Sequence, residues 1–559
     1  MSICSLNNAL QRRAGMIRTM KIESLNALAA IFEARFANET IKRLSDIQPP
    51  QKLRGMSEAV ARIVRAKEQG EAITIVGDYD ADGVIAAAIL SEVLERCGAD
   101  CRVLLPNRFT DGYGISAAII ERIDTPLVIT VDNGISAMDA AARAKERGID
   151  LIITDHHNCP PVLPDAFAVI NPKQAGCEYG LGTHAAKELC GAGVAWYLAA
   201  ALNNAFGAGC DMKALLALAG VAAVADCVPL LDTNRVFVKA GLAQLNRIDA
   251  PFAAVLRSEC GTDGVIGYED IAFRIAPRIN AAGRMATAAI AYDFLRANTE
   301  ARAHELFARL SELSAERKEI ENAIVSAAKA QIEAEGASDS AAIVVCGHGW
   351  HEGVIGIAAA RLSECYGKIA VVISTDGVNA KGSARLGDQG FAGGQGGDLY
   401  ALLTQCGQWL ESFGGHKKAG GIRLAHAQIE PFRQAFLDAA RATRHCEQRG
   451  ETAADGALEL NTALITPTLR EIYAAYEPFG EGNEQPVFAA HDFRAVETKW
   501  VGKDGAHLQL LFDNGLRAIY FNAERSVDYT ASISFLYSLM FDSFNGRERV
   551  KINIRRCCD

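Results

Sequence analysis

From about residue 72 to residue 171 the sequence alternates short runs rich in valine and isoleucine with segments of helical periodicity. The runs read AITIVGD, CRVLLP, PLVITVD, DLIITDHH and FAVINP, and alanine-rich segments separate most of them. Buried strands separated by amphipathic helices are typical of a parallel sheet covered by helices on both faces. The sequence therefore predicts an α/β fold with its functional site beyond the carboxyl ends of the strands.

The sequence changes character after this region, as expected because 559 residues exceed the size of a single hydrophobic core. A long charged stretch without proline predicts a continuous helix, and short alternating runs such as HLQLLF and RVKINI predict a small β-barrel. A glycine-rich patch at 387–398 predicts a flexible loop. The predicted divisions are an N-terminal helical segment at 1–70, the first α/β domain with a helical second half at 71–300, a connector helix at 301–336, a second α/β domain at 337–445 and the barrel at 446–559.

The composition is that of a folded protein without a membrane-spanning segment, since 50% of the residues are apolar and 22% are charged. The longest uncharged apolar stretches, GAGVAWYLAAAL and ALLALAGVAAVA, run for about a dozen residues, whereas a helix needs about 20 to cross a bilayer. The fifteen cysteines are scattered without a Cys-x-x-Cys pair, which favours a cytoplasmic location and no zinc site. An arginine-containing start with no acid before Glu23 leaves an organelle transit peptide as an alternative.

The formal net charge of −10 argues only weakly against a nucleic-acid partner. Phosphate contacts are normally made by lysine and arginine, of which the chain has 57 against 67 acids. Bound divalent cations would offset several carboxylates, and a local basic groove can lie on an acidic protein. The charge therefore does not exclude nucleic acid as a substrate.

Three aspartates directly follow the first strand, in the sequence GDYDADG. On an extended chain alternate side chains project to one side, so Asp78, Asp80 and Asp82 would lie together. Carboxylates this close repel one another unless divalent cations, which favour hard oxygen ligands, lie between them. The alternative is an aspartate-rich surface turn in which Asp82, before Gly83, begins a helix.

Polar side chains also end two other strands of the predicted sheet. The run PLVITVDNG places Asp132 after one strand, and DLIITDHHN places Asp155, His156 and His157 after the next. Because the carboxyl ends of parallel strands meet at one edge, these groups would join the three aspartates. Mixed aspartate and histidine ligands suit Mn²⁺, with Mg²⁺ as the other candidate, and this number of carboxylates predicts two ions.

A further candidate ligand is Asp226, which ends the apolar helix in VAAVADCVPL. An acid at a helix carboxyl end opposes the helix dipole, so a bound metal would explain it; an ordinary solvated turn is the alternative. Two metals held mainly by oxygen ligands clamp a phosphoryl group, generate a hydroxide and stabilise the charge that develops during transfer. The predicted chemistry is therefore hydrolysis of a phosphoester or phosphoanhydride.

The order of these motifs, Asp-x-Asp-x-Asp, Asp-Asn-Gly, Asp-His-His and a later aspartate, resembles that of the DHH phosphoesterase superfamily. Further segments, including LPNRFTDGYGIS, APRINAAGRM, GHGWHEGVIGIAAARL, GSAR, SFGGHKKAGG and PFGEGNEQPVF, resemble the bacterial RecJ single-strand-specific DNA exonucleases, over residues 50 to 555. The resemblance implies a parallel-sheet DHH domain, a connector helix, a DHH-associated domain and an OB-like barrel. This order agrees with the divisions given above.

The resemblance implies a metal-dependent exonuclease that degrades single-stranded DNA from the 5′ end to nucleotides, in recombination and repair. It implies Mn²⁺ or Mg²⁺ as the cofactor, and a helicase and a single-strand-binding protein as candidate partners. We also expect a monomer that binds no membrane. The implied catalytic residues are Asp78, Asp80, Asp82, Asp132, Asp155, His156, His157 and Asp226, all of them metal ligands except Asp155, which supports an imidazole.

Other polar residues are candidates for substrate contacts. Arg278 and Arg284 can grip phosphate with planar, charged guanidinium groups, or they can pair with an acid of the connector helix. Gly414 and Gly415 allow the backbone to approach a phosphate, with His416 as a donor, and a helix cap is the alternative. The remaining candidates are Asn280, His351, Ser383 and Arg385, and for His351 with its neighbour Trp350 the alternative is plain packing.

Two other functions stay open at this stage. A phosphodiesterase of the same superfamily that acts on short oligoribonucleotides or cyclic dinucleotides would share this chemistry, but such members are smaller and lack the barrel. A non-catalytic scaffold of a replication-helicase assembly would be free to lose its ligands. Every acidic and histidine position is filled here, so the sequence favours an enzyme.

Overall fold

The structure is a computed structural model that describes residues 20–181, 185–387, 398–447, 458–502, 505–525, 527–544 and 547–557. The first 19 residues, which carry the transit-peptide alternative, lie outside these ranges, as does nearly all of the segment predicted to be a glycine-rich loop. Within the described ranges, no helix is both long and apolar enough to cross a membrane.

The strands of the described residues are mostly short and rich in β-branched, aromatic and other apolar residues, which pack well on a pleated surface. In chain order they are β1 (Met20–Ile22), β2 (Ile73–Val76), β3 (Cys101–Leu104), β4 (Leu127–Val131), β5 (Asp150–Thr154), β6 (Ala168–Ile170), β7 (Ile343–His348), β8 (Ala370–Thr375), β9 (Asn379–Arg385), β10 (Ser412–Gly415), β11 (Ala419–Ala425), β12 (Leu458–Leu460), β13 (Phe488–Val501), β14 (His507–Phe512), β15 (Arg517–Tyr520), β16 (Ser532–Phe544) and β17 (Arg547–Cys557).

The helices range from single turns to the predicted connector, which is 35 residues long. They are α1 (Leu25–Arg35), α2 (Met56–Gln69), α3 (Ala81–Arg96), α4 (Ala117–Glu121), α5 (Met138–Glu146), α6 (Gly191–Phe206), α7 (Leu216–Ala225), α8 (Asp232–Leu245), α9 (Pro251–Cys260), α10 (Tyr268–Asp270), α11 (Ala276–Met285), α12 (Ala289–Leu295), α13 (Glu300–Ala334), α14 (Ile355–Tyr366), α15 (Leu399–Gln405), α16 (Ile429–Glu447) and α17 (Leu469–Tyr476). One turn of π-helix, Ile271–Ile275, leads into α11.

The chain folds into two compact units. The unit called N-terminal here comprises Arg35–Lys318 together with Glu477–Asn483, and the C-terminal unit comprises the rest. Residues 20–34 therefore belong to the C-terminal unit, where β1 pairs in parallel with β12. The connector helix α13 continues from one unit into the other.

The N-terminal unit is built on a five-stranded parallel sheet in the order β3-β2-β4-β5-β6. Every residue of β2 and β4 is buried, as expected for central strands that helices cover on both faces. Helix α3 is buried along almost its whole length and packs against α6 and α7. Its alanine-rich sequence allows this close approach, and the same packing places the start of α6 near the carboxyl edge of the sheet.

The C-terminal unit contains two sheets. In the first, of order β10-β11-β9-β8-β7, only β7 and β8 run parallel. In the second, β13, β14, β15, β17 and β16 form a closed barrel, because β16 also pairs with β13. Strands β12 and β1 extend the barrel sheet beyond β13. The predicted fold class is confirmed, with a parallel-sheet domain, a long connector helix, a second α/β domain and a C-terminal barrel.

Candidate metal centre

The candidate metal centre lies at the carboxyl edge of the parallel sheet. Strands β2, β4 and β5 are neighbours there, and acidic or imidazole side chains follow each of them. Asp132 follows β4 directly and Asp155 follows β5 directly. Because Val131 lies beside Thr154 in the register of these two strands, both strands end at the same level. The sheet edge thus gathers these side chains in one place.

The segment Asp78–Asp82 leaves the extended conformation earlier than the alternation argument assumes. Asp80 caps α3, because its carboxylate accepts hydrogen bonds from the N–H groups of Asp82 (3.0 Å) and Gly83 (3.2 Å). Asp82 therefore reaches the site from the first turn of the helix. A Cβ added at Gly83 would lie 2.5 Å from the backbone nitrogen of Asp78, so this turn requires glycine. The structure therefore contains both the converging carboxylates and the helix cap that the sequence offered as alternatives, and the capping residue is Asp80.

The acidic and imidazole groups form overlapping clusters whose potential ligand atoms lie within 4.8 Å of one another. The clusters are Asp78 with Asp80 and Asp132, Asp82 with His156 and Asp226, and Asp132 with His156 and His157. Nε2 of His156 lies 3.1 Å from Oδ1 of Asp132 and 3.8 Å from Oδ2 of both Asp82 and Asp226. Asp132 therefore stands between the first two sets of ligands.

Two carboxylate oxygens of this centre, Oδ1 of Asp78 and Oδ1 of Asp132, are buried without a hydrogen bond, although Nε2 of His156 lies 3.1 Å from the second of them. Asp132 also has a φ angle of 64°, in the left-handed region that residues other than glycine adopt rarely. Burying an unpaired carboxylate is costly, and hard divalent cations bind such oxygens. These donors therefore fit Mn²⁺ or Mg²⁺, in agreement with the predicted cofactors.

Burial and mutual repulsion raise the pKa values of most of these carboxylates. Burial, with a smaller contribution from Asp80, raises the pKa of Asp82 to about 6. Burial, followed by repulsion from Asp82, raises the pKa of Asp226 to about 8 and that of Asp132 well above its ordinary value. The pKa of Asp78 is raised in the same way, by burial and then by Asp80. The metal-free centre therefore holds protons that a bound cation must displace.

The two histidines lie in opposite electrostatic environments. Burial, and then the neighbouring His157, lowers the pKa of His156 to about 3, so this imidazole is neutral and offers a lone pair to a metal. Burial alone would lower the pKa of His157, but a hydrogen bond of 2.7 Å between its Nδ1 and Oδ1 of Asp155 raises the pKa to about 9. Asp155 also accepts the backbone N–H of Ile135, so its orientation is fixed.

Asp226 lies at the C-cap of α7, and its side chain is 29% exposed, against 3% for the side chains of Asp82 and Asp132. The loop that follows it contacts the motif PFGEGNEQPVF, since the Leu230 N–H donates to the carbonyl of Glu481 at 2.7 Å. A Cβ added at Gly482 would lie 3.2 Å from Cβ of Pro229, so the two backbones approach closely. These contacts explain why Glu477–Asn483 belongs to the N-terminal unit.

Two residues that hold Asp82 were absent from the predicted site. The N–H groups of Gly191 and Ala192, at the start of α6, donate hydrogen bonds to the two carboxylate oxygens of Asp82. In the sequence they open the apolar stretch GAGVAWYLAAAL, which resembles many core helices. Glycines at the start of that stretch are the only sequence signal for this contact.

The candidate substrate contacts of the N-terminal unit lie on α11. Nε of Arg278 donates a hydrogen bond to Oγ of Ser311 at 3.1 Å, and the guanidinium lies over the ring of Phe307. The connector helix α13 therefore holds Arg278 through a serine and an aromatic ring, and not through an acid. Arg284 lies close enough to Tyr79 to interact with it electrostatically. A phosphate contact by either arginine stays a prediction.

In the C-terminal unit, the candidate substrate contacts lie on two neighbouring parts of one sheet. Arg385 donates to Oγ of Ser383 at 2.9 Å, both on β9. Gly414 and Gly415 lie on β10, which pairs with β11, and the N–H of His416 donates to the carbonyl of Ala419. This segment is a β-hairpin, so the helix-cap alternative is wrong.

His351 contacts the backbone of its own loop, and Trp350 packs on the end of β7. Nδ1 of His351 accepts the N–H of Gly353 at 3.2 Å. The ring of Trp350 packs on Gly347, where an added Cβ would lie 2.0 Å from a ring atom. This contact favours packing for Trp350, and a base contact by His351 stays a prediction.

Asn280 lies next to the aspartate segment, because its Oδ1 accepts the N–H of Ala81 at 2.8 Å. We expect Asn280→Ala to lower the free energy of unfolding by about 1–3 kcal/mol, since the Ala81 donor loses its acceptor. Asn280→Asp keeps an acceptor and should restore much of this loss. Urea denaturation of the metal-free protein measures the effect. If Asn280→Ala instead weakened DNA binding at unchanged stability, a substrate contact alone would explain the residue.

Three family models match the chain. Residues 72–223 match the N-terminal domain of the DHH family, residues 338–442 match the DHHA1 domain, and residues 455–556 match the RecJ OB domain. The three matches follow the order of the parallel-sheet domain, the second α/β domain and the barrel in this structure.

Two curated relatives have the name single-stranded-DNA-specific exonuclease RecJ. The protein of Bacillus subtilis is 33% identical over 524 residues, covering 91% of this chain and 64% of that protein. The protein of Haemophilus influenzae is 30% identical over 556 residues, covering 94% of this chain and 95% of that protein. The chain thus spans less than two thirds of the Bacillus relative and nearly all of the Haemophilus relative.

Solved structures lead to the same family. The Mn²⁺ complex of RecJ from Thermus thermophilus superposes with a TM-score of 0.78 at 27% identity, covering 95% of this chain and 76% of that one. An exonuclease RecJ bound to manganese superposes with a TM-score of 0.60 at 32% identity, covering 70% of this chain and 95% of that one. The family models, the relatives and these structures agree, and the chain belongs to the RecJ family of single-stranded-DNA-specific exonucleases.

Proposed function

We propose that the chain is a metal-dependent exonuclease that hydrolyses the phosphodiester bonds of single-stranded DNA from the 5′ end, releasing nucleotides during recombination and repair. The observation that carries the proposal is the set of overlapping ligand clusters that share Asp132 and His156, with buried carboxylate oxygens that lack hydrogen-bond partners. The names of the relatives supply the single-stranded substrate. The 5′ polarity rests on the family resemblance alone.

Two of the clusters would each hold one metal ion. Asp78, Asp80 and Asp132 would hold one ion, while Asp82, His156 and Asp226 would hold the other, close to Asp132. Bound divalent ions would supply an activated water and stabilise the charge that develops on the phosphorus oxygens and the leaving group.

His157 was predicted from the sequence to be a metal ligand, and it is grouped with Asp132 and His156 in the structure, but we assign it a different role in this proposal. Its Nδ1 is engaged by Asp155 and its pKa is about 9, so the imidazole is cationic at neutral pH in the metal-free centre. Its Nε2 lies 3.4 Å from the hydroxyl of the exposed Tyr113. With Nδ1 held by Asp155, we assign Nε2 of His157 and the hydroxyl of Tyr113 to contact with the phosphate of the bound strand.

The barrel offers surfaces that suit single strands. The guanidinium of Arg525 lies 4.5 Å from the ring centroid of Trp500, and Phe521 is exposed beside His507. Bases of any sequence stack on aromatic rings, while arginine follows the phosphate backbone. We include a helicase and a single-strand-binding protein as partners, a monomeric state and a cytoplasmic location in the proposal, and all four rest on the family resemblance and on composition.

The test compares end-labelled single-stranded DNA, the matched duplex and RNA dinucleotides as substrates, each with Mn²⁺ or Mg²⁺. We expect the wild type to degrade only the single strand, from its 5′ end, and Asp80→Ala to be inactive with every substrate. A strong preference for RNA dinucleotides would favour the oligoribonucleotide phosphodiesterase instead. Inactivity of the wild type with every substrate and both metals would favour the scaffold.

A further inference from the structure

The start of α6 reaches the candidate metal centre with its backbone. The N–H of Gly191 donates to Oδ2 of Asp82 at 2.6 Å, and the N–H of Ala192 donates to Oδ1 of the same carboxylate at 2.8 Å. The first N–H groups of a helix have no partner within the helix and carry its positive dipole end, so a carboxylate is a favourable acceptor. Two bonds to two oxygens fix both the position and the plane of the Asp82 carboxylate.

Gly191 also lies close to Asp132, the second carboxylate that this inference concerns. A Cβ added at this position would lie 2.5 Å from both Cβ and Oδ1 of Asp132, and 2.7 Å from its Cγ. Real Cβ atoms do not approach other atoms this closely, and Cβ of Asp132 is fixed to a backbone that already has a positive φ angle. The absence of a side chain at Gly191 therefore allows one helix terminus to contact Asp82 and Asp132 at once.

We infer that Gly191 is a positioning residue of the metal centre, which sets the separation between the Asp82 ligand cluster and Asp132 through its N–H group and its missing side chain. This inference rests on the proposed function, because it requires that Asp82 and Asp132 bind metal. It assigns a role to a residue that itself offers no ligand atom. A larger residue at this position would displace Asp132 and thereby separate the two metal sites.

The chain provides a matched control in the same helical turn. Gly193 also lies in the first turn of α6, but a Cβ added there would have its nearest contact at 3.6 Å, an ordinary van der Waals distance, from Leu189. Both substitutions replace glycine with alanine, the better helix former, within the same first turn. Any difference between the two variants therefore reports the approach of Gly191 to Asp132.

The experiment titrates Mn²⁺ into the full chain by calorimetry and records the electron paramagnetic resonance spectrum of the Mn²⁺-loaded protein. We expect the wild type and Gly193→Ala to bind two ions with a spin-coupled spectrum. We expect Gly191→Ala to bind at least one ion about tenfold or more weakly and to lose the coupled signal. Equal affinities and identical coupled spectra for Gly191→Ala and the wild type would overturn the inference, while a wild type that binds no Mn²⁺ would overturn the proposed function itself.

If Gly191→Ala is poorly folded, the inference can still be tested by introducing the same substitution into a second variant, Asp132→Gly. In Asp132→Gly the clashing side chain is gone, and glycine accepts the positive φ angle of this position. Thermal melts of the metal-free proteins should show that Gly191→Ala lowers the melting temperature in the wild-type background but not in the Asp132→Gly background. An equal decrease in both backgrounds would show that the added Cβ at position 191 clashes with a group other than the Asp132 side chain, and it would contradict the role assigned to Gly191.

Discussion

Asp132→Asn is expected to lower the rate of single-strand hydrolysis in Mn²⁺ at least about 10³-fold, with the fold unchanged. Asp132 stands between the two clusters, so its loss weakens both candidate metal sites. An amide has the same shape as the carboxylate, but it lacks the negative charge that a cation requires. We therefore expect calorimetry to show fewer bound Mn²⁺ ions, and a nuclease assay with a labelled single strand to show the loss of rate.

The same substitution should stabilise the metal-free protein. Burial and then repulsion from Asp82 raise the pKa of Asp132, which means that the folded state disfavours the ionised carboxylate. A neutral amide removes this penalty, so the melting temperature without metal should rise at neutral pH. Asp139→Asn, at an exposed position in the first turn of α5, is the matched control: it should leave Mn²⁺ binding unchanged and should not raise the melting temperature. Full Mn²⁺ binding by Asp132→Asn would refute the central position given to this carboxylate.

The carboxyl edge of the parallel sheet can be located from the sequence because the residues that mark it are adjacent to their strands in the chain. A parallel strand that is buried on both faces must be apolar along its length, so a polar group directly after it marks the edge where all strands end. Asp132 and Asp155 follow their strands in this way. The prediction that Asp82 lies on an extended chain is wrong. Asp80 accepts hydrogen bonds from two backbone N–H groups and caps α3, so Asp82 already lies in the first turn of this helix.

The contacts that orient these side chains have no local signature. Gly191 lies 109 residues from Asp82, and Asn280 lies 199 residues from Ala81. Strand β1 pairs with β12, which is more than 400 residues away along the chain. Nothing in a short apolar or helical run specifies such a distant partner, because only the assembled fold brings the two backbones together. For the same reason, sequence alone left open whether Arg278 faces phosphate or the connector helix, which holds it here.

Mn²⁺ affinity is expected to rise about 100-fold between pH 6 and pH 8. In the metal-free protein, burial and then repulsion from Asp82 raise the pKa of Asp226 to about 8, so this carboxylate is largely protonated at pH 6. A metal ligand must be deprotonated, and each displaced proton changes the apparent affinity by about tenfold for every pH unit below its pKa. Calorimetry in buffers of different ionisation enthalpy measures both the affinity and the number of protons released.

The stability of the metal-free protein should have the opposite pH dependence. A folded-state pKa of about 8 for Asp226 exceeds the ordinary value of 3.8, so the folded state binds a proton that the unfolded chain has lost. Stability therefore decreases as the pH rises from about 4 to about 8, and Mn²⁺ should raise the melting temperature more at pH 8 than at pH 6. Asp226→Asn should weaken the pH dependence of both the Mn²⁺ affinity and the stability of the metal-free protein, because an amide has no proton to release. A Mn²⁺ affinity independent of pH in the wild type would contradict the expectation that metal binding displaces a proton from Asp226.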